Sequence, residues 1–493
     1  MRLKTNVIIS AVFACLLGFV WFHEIKGGEK RDLDAERARQ LVDFSDQEAQ
    51  RLTIQRVDTT IVIERRDDAW VITEPIDTGA DAEAIDRYLR SLKESEIEGD
   101  AVVDSATVAA DSSVLAVYGL ERPRLRVHLA LVQSAKGNPD TLRFGDDTPT
   151  ERFTYVQQAG ANPEIRTIRA WQFDSLDKSI FDLRDRHVLH FDREQVTGLT
   201  LHRRDEAGGQ QITAERSGAV WHITAPLQTA ADDAAFDEIL TRVSNARIST
   251  FVHEIPTAAN MDEMGLATGD EFVHLSLQIG EDKEEKHLFL GAKQDQGDHF
   301  AFDSGRKPIF VIDSTVVRYL VKSLDDLRDR QPFERLKEGV QGIDLVVAGE
   351  TRFRAQRDST GIGWLLTYPL DRQANDWRLN DLLTALAQLR VEDFVADAED
   401  ILSLNVVDYG FASPQLRMVL HMGAGESVFV EVVESQGAVY ARRADVPAIF
   451  AVPQQSLQDL SPTLDEVSTL VADVVTNAGN QTQQLTPPES SAQ

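Results

Sequence analysis

Apolar and polar positions along this chain fall into one pattern three times over. Trp70-Val-Ile-Thr-Glu-Pro75 recurs as Trp221-His-Ile-Thr-Ala-Pro226 and as Trp364-Leu-Leu-Thr-Tyr-Pro369, at offsets of 221 − 70 = 151 and 364 − 221 = 143. Internal repetition of this kind decides the architecture before any single residue does. The same offsets carry Asp81 onto Asp232 and Asn375, each a residue whose side chain can accept from an unpaired first-turn N–H and so start a helix. Behind these caps the apolar residues fall at i, i+3, i+4 and i+7, as in Ile85, Tyr88, Leu89 and Leu92 or Phe236, Ile239, Leu240 and Val243. That spacing predicts a helix with one face packed on a sheet.

Further on, Tyr118-Gly-Leu120, Met264-Gly-Leu266 and Tyr409-Gly-Phe411 place a glycine where a short helix can end in the left-handed conformation. Strict alternation follows in Leu125, Val127, Leu129 and Leu131, then Val273 to Ile279, then Leu416 to Met422. More strands are predicted around Leu142 and Phe144, Phe153 to Val156, and Ile165 to Ile168. Phe144-Gly-Asp-Asp-Thr148 and Leu290-Gly-Ala-Lys-Gln294 occupy equivalent places and read as strand-ending turns. Each copy is thus predicted to be a sheet of about six strands with helices on one face or end, an α+β module.

The first two copies close on Ser179-Ile-Phe-Asp-Leu-Arg-Asp-Arg186 and Ser323-Leu-Asp-Asp-Leu-Arg-Asp-Arg330, whereas the third, near Leu464 and Val467, lacks the Arg-Asp-Arg run. The motif therefore occurs where another module follows. Arg184, Asp185 and Arg186 read as a junction whose guanidinium forks bond carboxylates or strand-end carbonyls, in preference to an anion site. The modules are expected over residues 41–186, 187–331 and 332–470, with a polar tail rich in Asn, Gln, Thr, Pro and Ser over 471–493.

The apolar run from Val7 to Phe22 stands apart from this pattern. As a helix it would be roughly 24 Å long, close to the hydrocarbon thickness of a bilayer. Arg2 and Lys4 precede it, and Trp21 and Phe22 end it at an interfacial depth. No small-residue cleavage site follows, so an uncleaved anchor is expected rather than a signal peptide. Cys15 lies inside the run, which argues against lipid modification. The flanking charge places residues 1–6 in the cytoplasm and everything after His23 outside, on the periplasmic side of a bacterial inner membrane, beginning with a charged stalk over 23–40. The expected fold is therefore α+β: an N-terminal transmembrane helix followed by three tandem sheet-plus-helices modules.

Composition changes the picture in two ways. Among 493 residues 42% are hydrophobic, enough for a real core in each module. The net charge of −30, from 81 acidic and 51 basic side chains, repels phosphate backbones, so nucleic acid is not expected as a partner. The single cysteine leaves the body without an intramolecular disulfide.

Candidate chemistry is sparse. Eleven histidines are scattered without a zinc-protease spacing, and His187 and His190 read as flanking the first junction. No nucleophile elbow, phosphate loop or dinucleotide fingerprint is present. The aromatic residues at repeat positions read as core, not as sugar platforms. No catalytic, cofactor-binding or metal residues are assigned.

The Trp-x-Ile-Thr-x-Pro strand, the Ala-Asp helix start, Tyr118-Gly-Leu120 with nearby Pro123, and the Leu-Arg-Asp-Arg closure together resemble a bacterial family known as domain of unknown function 4340. The resemblance spans about Leu41 to Leu470. It implies a membrane-anchored protein that accompanies a membrane transporter of the ABC type, including those related to gliding-motility auxiliary proteins, and it supplies no catalytic residues. The functional expectation is a non-enzymatic, extracytoplasmic accessory or scaffold protein that binds another envelope protein through its module surfaces. The alternative is a periplasmic glycan- or peptide-binding or hydrolytic protein using an inter-module cleft.

Overall fold

The computed structural model describes residues 39–468, apart from 43, 68, 132–140, 160–162, 205–208, 360 and 399–400. The apolar run 7–22 with Cys15, residues 23–38 of the charged stalk and the tail 471–493 lie outside the described residues. Among the described residues no helix is long and apolar enough to cross a membrane. Two compact units divide the chain after Arg186. One contains a single sheet and the other contains two, and all three sheets have nine strands in the same order.

In the first unit the strands are β1 (Ala49–Arg56), β2 (Thr60–Arg66), β3 (Ala69–Glu74), β4 (Thr78–Gly79), β5 (Ile97–Val103), β6 (Leu125–Leu131), β7 (Thr141–Asp147), β8 (Phe153–Ala159) and β9 (Ile165–Arg169). They lie side by side as β4-β3-β2-β1-β6-β7-β8-β9-β5, each pair antiparallel. The sheet is two meanders joined at β1 and β6. The helix predicted after the Trp strand is α1 (Ala82–Lys93), capped by Asp81, whose carboxylate accepts from Ala84 N at 3.0 Å. Its apolar stripe of Ile85, Tyr88, Leu89 and Leu92 is buried against Leu52, Ile54, Ile63, Trp70 and Leu125 on one face of the sheet. The other face carries a small satellite core of Val108, Leu120 and Ile165 under short helices.

The second unit repeats this plan twice. The helices Asp233–Asn245 and Asp376–Ala387 take Asp232 and Asn375 as caps, accepting from Ala235 N at 3.1 Å and from Arg378 N at 3.3 Å. Trp221 and Trp364 are fully buried, and Trp221 stacks on Phe236 with ring centroids 5.0 Å apart. The aromatic repeat positions are core, as their recurrence predicts. The alternating strands Val273–Ile279 and Leu416–Met422 send Leu275 and Leu277, and Met418 and Leu420, into the same main cores as the helices.

Two expectations are corrected. Nine strands replace about six. The hairpin of β1 and β2 carries weak alternation, β4 and its counterparts are two residues long, and β5 pairs with β9 across an irregular register. None of these produces the long period-2 signal on which strand recognition depends. The Phe144-Gly and Leu290-Gly segments are also not turns that end strands. They are irregularities inside β7 and inside the strand Glu284–Lys293, where the register shifts between Phe144 and Asp147 and between Leu290 and Lys293. A Cβ on Gly145 would sit 2.0 Å from Tyr118 O, and one on Gly291 would sit 2.1 Å from Met264 O. The extra residue lets Asp146 N and Ala292 N bond those carbonyls at 3.0 and 2.7 Å. In the first two copies the two glycine motifs are therefore one contact. Gly119, Gly265 and Gly410 take the expected positive φ of 69°, 63° and 91°.

Candidate interaction surface at the module ends

Each module finishes by folding its last residues back along its own helix start. In the first, Arg184 bridges to Ala80, Asp81 N donates to Leu183 O at 2.9 Å, and Asp185 N donates to Gly79 O at 3.0 Å. In the second, Arg328 bridges to Ala231, Asp232 N donates to Leu327 O at 2.9 Å, and Asp329 N donates to Ala230 O at 3.0 Å. In the third, Ser468 bridges to Ala374 and Asn375 N donates to Val467 O at 2.9 Å. The backbone device is common to all three, so the Arg-Asp-Arg sequence is not needed to make it.

The arginines do something else, and within the second unit it is visible. Arg328 is 1% exposed and forks onto Asp397 of the third module, with N–O distances of 2.8 and 2.6 Å. Its guanidinium lies 3.7 Å from the ring centre of Phe394, and Asp325 is 3.6 Å away. Arg330 donates to the strand-edge carbonyl of Glu392 at 2.8 Å and to Asp325 O at 3.1 Å. A bidentate charged pair stacked on an aromatic ring fixes orientation as well as distance, which is what a junction between rigid bodies requires. Both carboxylate and carbonyl bonds predicted for the motif are present here. The third module's Ser468 occupies the equivalent place and satisfies its hydroxyl on Leu464 O at 2.6 Å.

Beside this pair the second and third modules enclose a cleft of about 560 Å³, lined on one side by Trp221, Asp232, Asp233 and Asp329 and on the other by Arg390 and Arg443. Arg330, Arg335, Glu334 and Asp445 also line it, so carboxylates and guanidiniums are mixed on its walls. Burial pushes the Asp329 carboxyl above its ordinary range, opposed by the hydrogen bond from Gln331 N, while the carboxylates of Asp232 and Glu334 push it the same way as burial. Arg443 is held by Asp445 in a fork with both N–O distances 2.6 Å and also donates to Pro332 O. Three wall carboxylates have structural duties: Asp232 caps its helix, Asp233 accepts from Trp221 N at 2.6 Å, and Asp329 accepts from Gln331 N at 2.7 Å. This chemistry suits holding two surfaces together.

The corresponding face of the third module is apolar. Positions 365 and 377 correspond, by the offset of 143, to His222 and Ala234, which line the cleft. Here they are Leu365, 36% exposed, and Trp377, 72% exposed, with Tyr368 and Leu370 exposed nearby. Asp376 remains beside them, bonded to Trp364 N at 2.7 Å just as Asp233 is bonded to Trp221 N.

Of the histidines singled out by spacing, His187 and His190 bring their rings within 4.5 Å in the second unit. A different pair is missed by spacing, because it is assembled across strands. His274 and His287 on the second sheet lie 3.2 Å apart, Nε2 to Nδ1. Their outward positions in alternating strands are legible in the sequence, but their register is not.

A family model described as a domain of unknown function (DUF4340) matches the chain three times, over residues 70–268, 221–405 and 364–470. Each match begins on one of the three repeated tryptophans. No curated protein and no solved structure matches the chain.

Proposed function

For a chain that belongs to the family described as a domain of unknown function (DUF4340), we propose a function of holding rather than of chemistry. It is an accessory or scaffold protein, anchored in a bacterial inner membrane through residues 7–22 with its modules on the periplasmic side. It binds another envelope protein, and the partner that the family resemblance implies is a subunit of an ABC-type transporter. The observation that carries this reading is the end face of the third module. The second module uses the equivalent face to receive its neighbour, whose Arg390 and Arg443 line the same cleft as its carboxylates. The third presents Leu365 and Trp377 at the matching positions, with Asp376 beside them. A surface with an exposed tryptophan among apolar side chains and a carboxylate beside it fits an arginine-bearing protein surface with an apolar recess.

The test is co-purification of the full-length chain from membranes in mild detergent, with a photo-crosslinker at position 377. Stoichiometric recovery of a transporter subunit, lost in Trp377→Ser while melting is unchanged, is the expected outcome. A chain that runs alone, or a partner recovered equally by Trp377→Ser, refutes it. A reporter active only in the periplasm, fused after Gln493, checks the orientation, and silence there refutes the anchoring.

A further inference from the structure

The three sheets share one topology, so the rows of side chains on their outer faces can be compared position by position. One row reads Gln55, Arg126, Arg143 in the first sheet and Val346, Arg417, Glu431 in the third. In the second it reads His202, His274, Phe289. One step along the strand, the second sheet adds His287 opposite Ser276. Residues directly opposite in an antiparallel pair share a face, as do residues two apart on one strand. His202, His274 and His287 therefore all lie on the outer face, across from the buried Leu201, Leu275 and Leu288.

We propose that His274 and His287 form a site for a divalent first-row transition ion, Zn(II) or Ni(II), on the outer face of the second sheet. Three observations support it. His274 Nε2 and His287 Nδ1 are 3.2 Å apart. Two imidazole nitrogens bound to one zinc at about 2.0–2.1 Å in tetrahedral geometry are themselves about 3.3 Å apart, so small ring rotations turn the two nitrogens onto a shared ion. A supporting carboxylate is also in place. Glu285 Oε2 lies 3.4 Å from His287 Nε2, on the side of the ring away from the nitrogen that would bind the ion. A carboxylate behind a ligating histidine is the usual way of orienting it and raising its basicity.

Finally, the surroundings suit a cation. The charged groups bearing on His274 are Glu271 and Glu285, apart from the neighbouring His287 and His202. Phe289, stacked on His274 with ring centroids 4.3 Å apart, holds the imidazole in place. Paired imidazoles suit zinc, nickel and copper over the hard cations magnesium and calcium.

Isothermal titration of the full-length chain in detergent, without a polyhistidine tag, against zinc chloride or nickel chloride at pH 7.5 tests the site. The expected result is one saturable ion per chain with micromolar affinity. His274→Gln and His287→Gln should each weaken it at least tenfold, and Glu285→Gln about 10- to 100-fold, the usual effect of removing such a supporting carboxylate. His187→Gln/His190→Gln should leave it unchanged. Binding that survives in His274→Gln/His287→Gln, that disappears in the His187/His190 variant instead, or that never saturates overturns the proposal. Should the double variant fold poorly, Glu285→Gln alone decides: unchanged affinity counts against the site.

Discussion

At the scale of residues, Arg328 shows how much one side chain can be asked to do. A guanidinium taken out of water is tolerated because Asp397 neutralises it and Phe394 covers it. Removing Asp397 leaves the buried guanidinium with only the longer contact to Asp325, so Asp397→Ala should destabilise the second unit by up to about 3–5 kcal/mol in urea denaturation. Arg328→Met with Asp397→Leu should recover most of that loss, because the desolvation cost disappears with the charges. Asp329 carries the opposite lesson. Its folded pKa is raised, so its protonated form is favoured on folding, and that favourable contribution is present at low pH and lost as pH rises through the folded value. Asp329→Asn, which keeps the acceptor for Gln331 N, should therefore be more stable than the native chain at pH 7. The advantage should shrink as pH falls toward 4, and thermal melting at the two pH values checks it.

At the scale of elements, the same helix is built three times from different residues. Asp81, Asp232 and Asn375 all bond the backbone of the first turn, and replacing any of them by alanine should cost about 1 kcal/mol. The buried tryptophan opposite is worth more: Trp221→Ala removes both its area and its stack on Phe236 and should cost about 3–5 kcal/mol. Edge elements stand at the other extreme. The two-residue strands Thr229–Ala230 and Arg372–Gln373 should exchange their amide hydrogens well before the central strands Val196–Arg203 and Val340–Val347, as hydrogen exchange read by mass spectrometry can show. These short strands escaped recognition in the sequence for the same reason that they should exchange fast: two residues offer neither a period nor much burial. The long helices and alternating strands were legible because their burial is one-sided and continuous.

At the scale of the whole molecule, repetition and charge dominate. The body carries the same sheet three times, and the chain bears a net charge of −30. Self-repulsion at that charge is screened by salt, so raising NaCl from about 20 to 200 mM should raise the melting temperature; a fall would mean that pairs such as Arg328 with Asp397 matter more than the general field. What separates the modules is confined to their faces. An arginine closes the first two where the third has Ser468, His274 stands on the second sheet where Arg126 and Arg417 stand on the others, and Trp377 stands on the third where Ala234 lines the cleft of the second.

By itself the amino-acid order determined the number of modules, their α+β character, the helix starts, the core tryptophans and the Arg-Asp-Arg junction motif. Those follow from periodicity and capping, which act between residues close along the chain. Only the tertiary structure decided that each sheet has nine strands, that the paired glycine motifs of the first two copies are one contact, that Arg328 meets Asp397, and that His274 faces His287. Each of these joins residues from separate strands or modules, and register between strands depends on packing across the whole sheet, which no local pattern encodes.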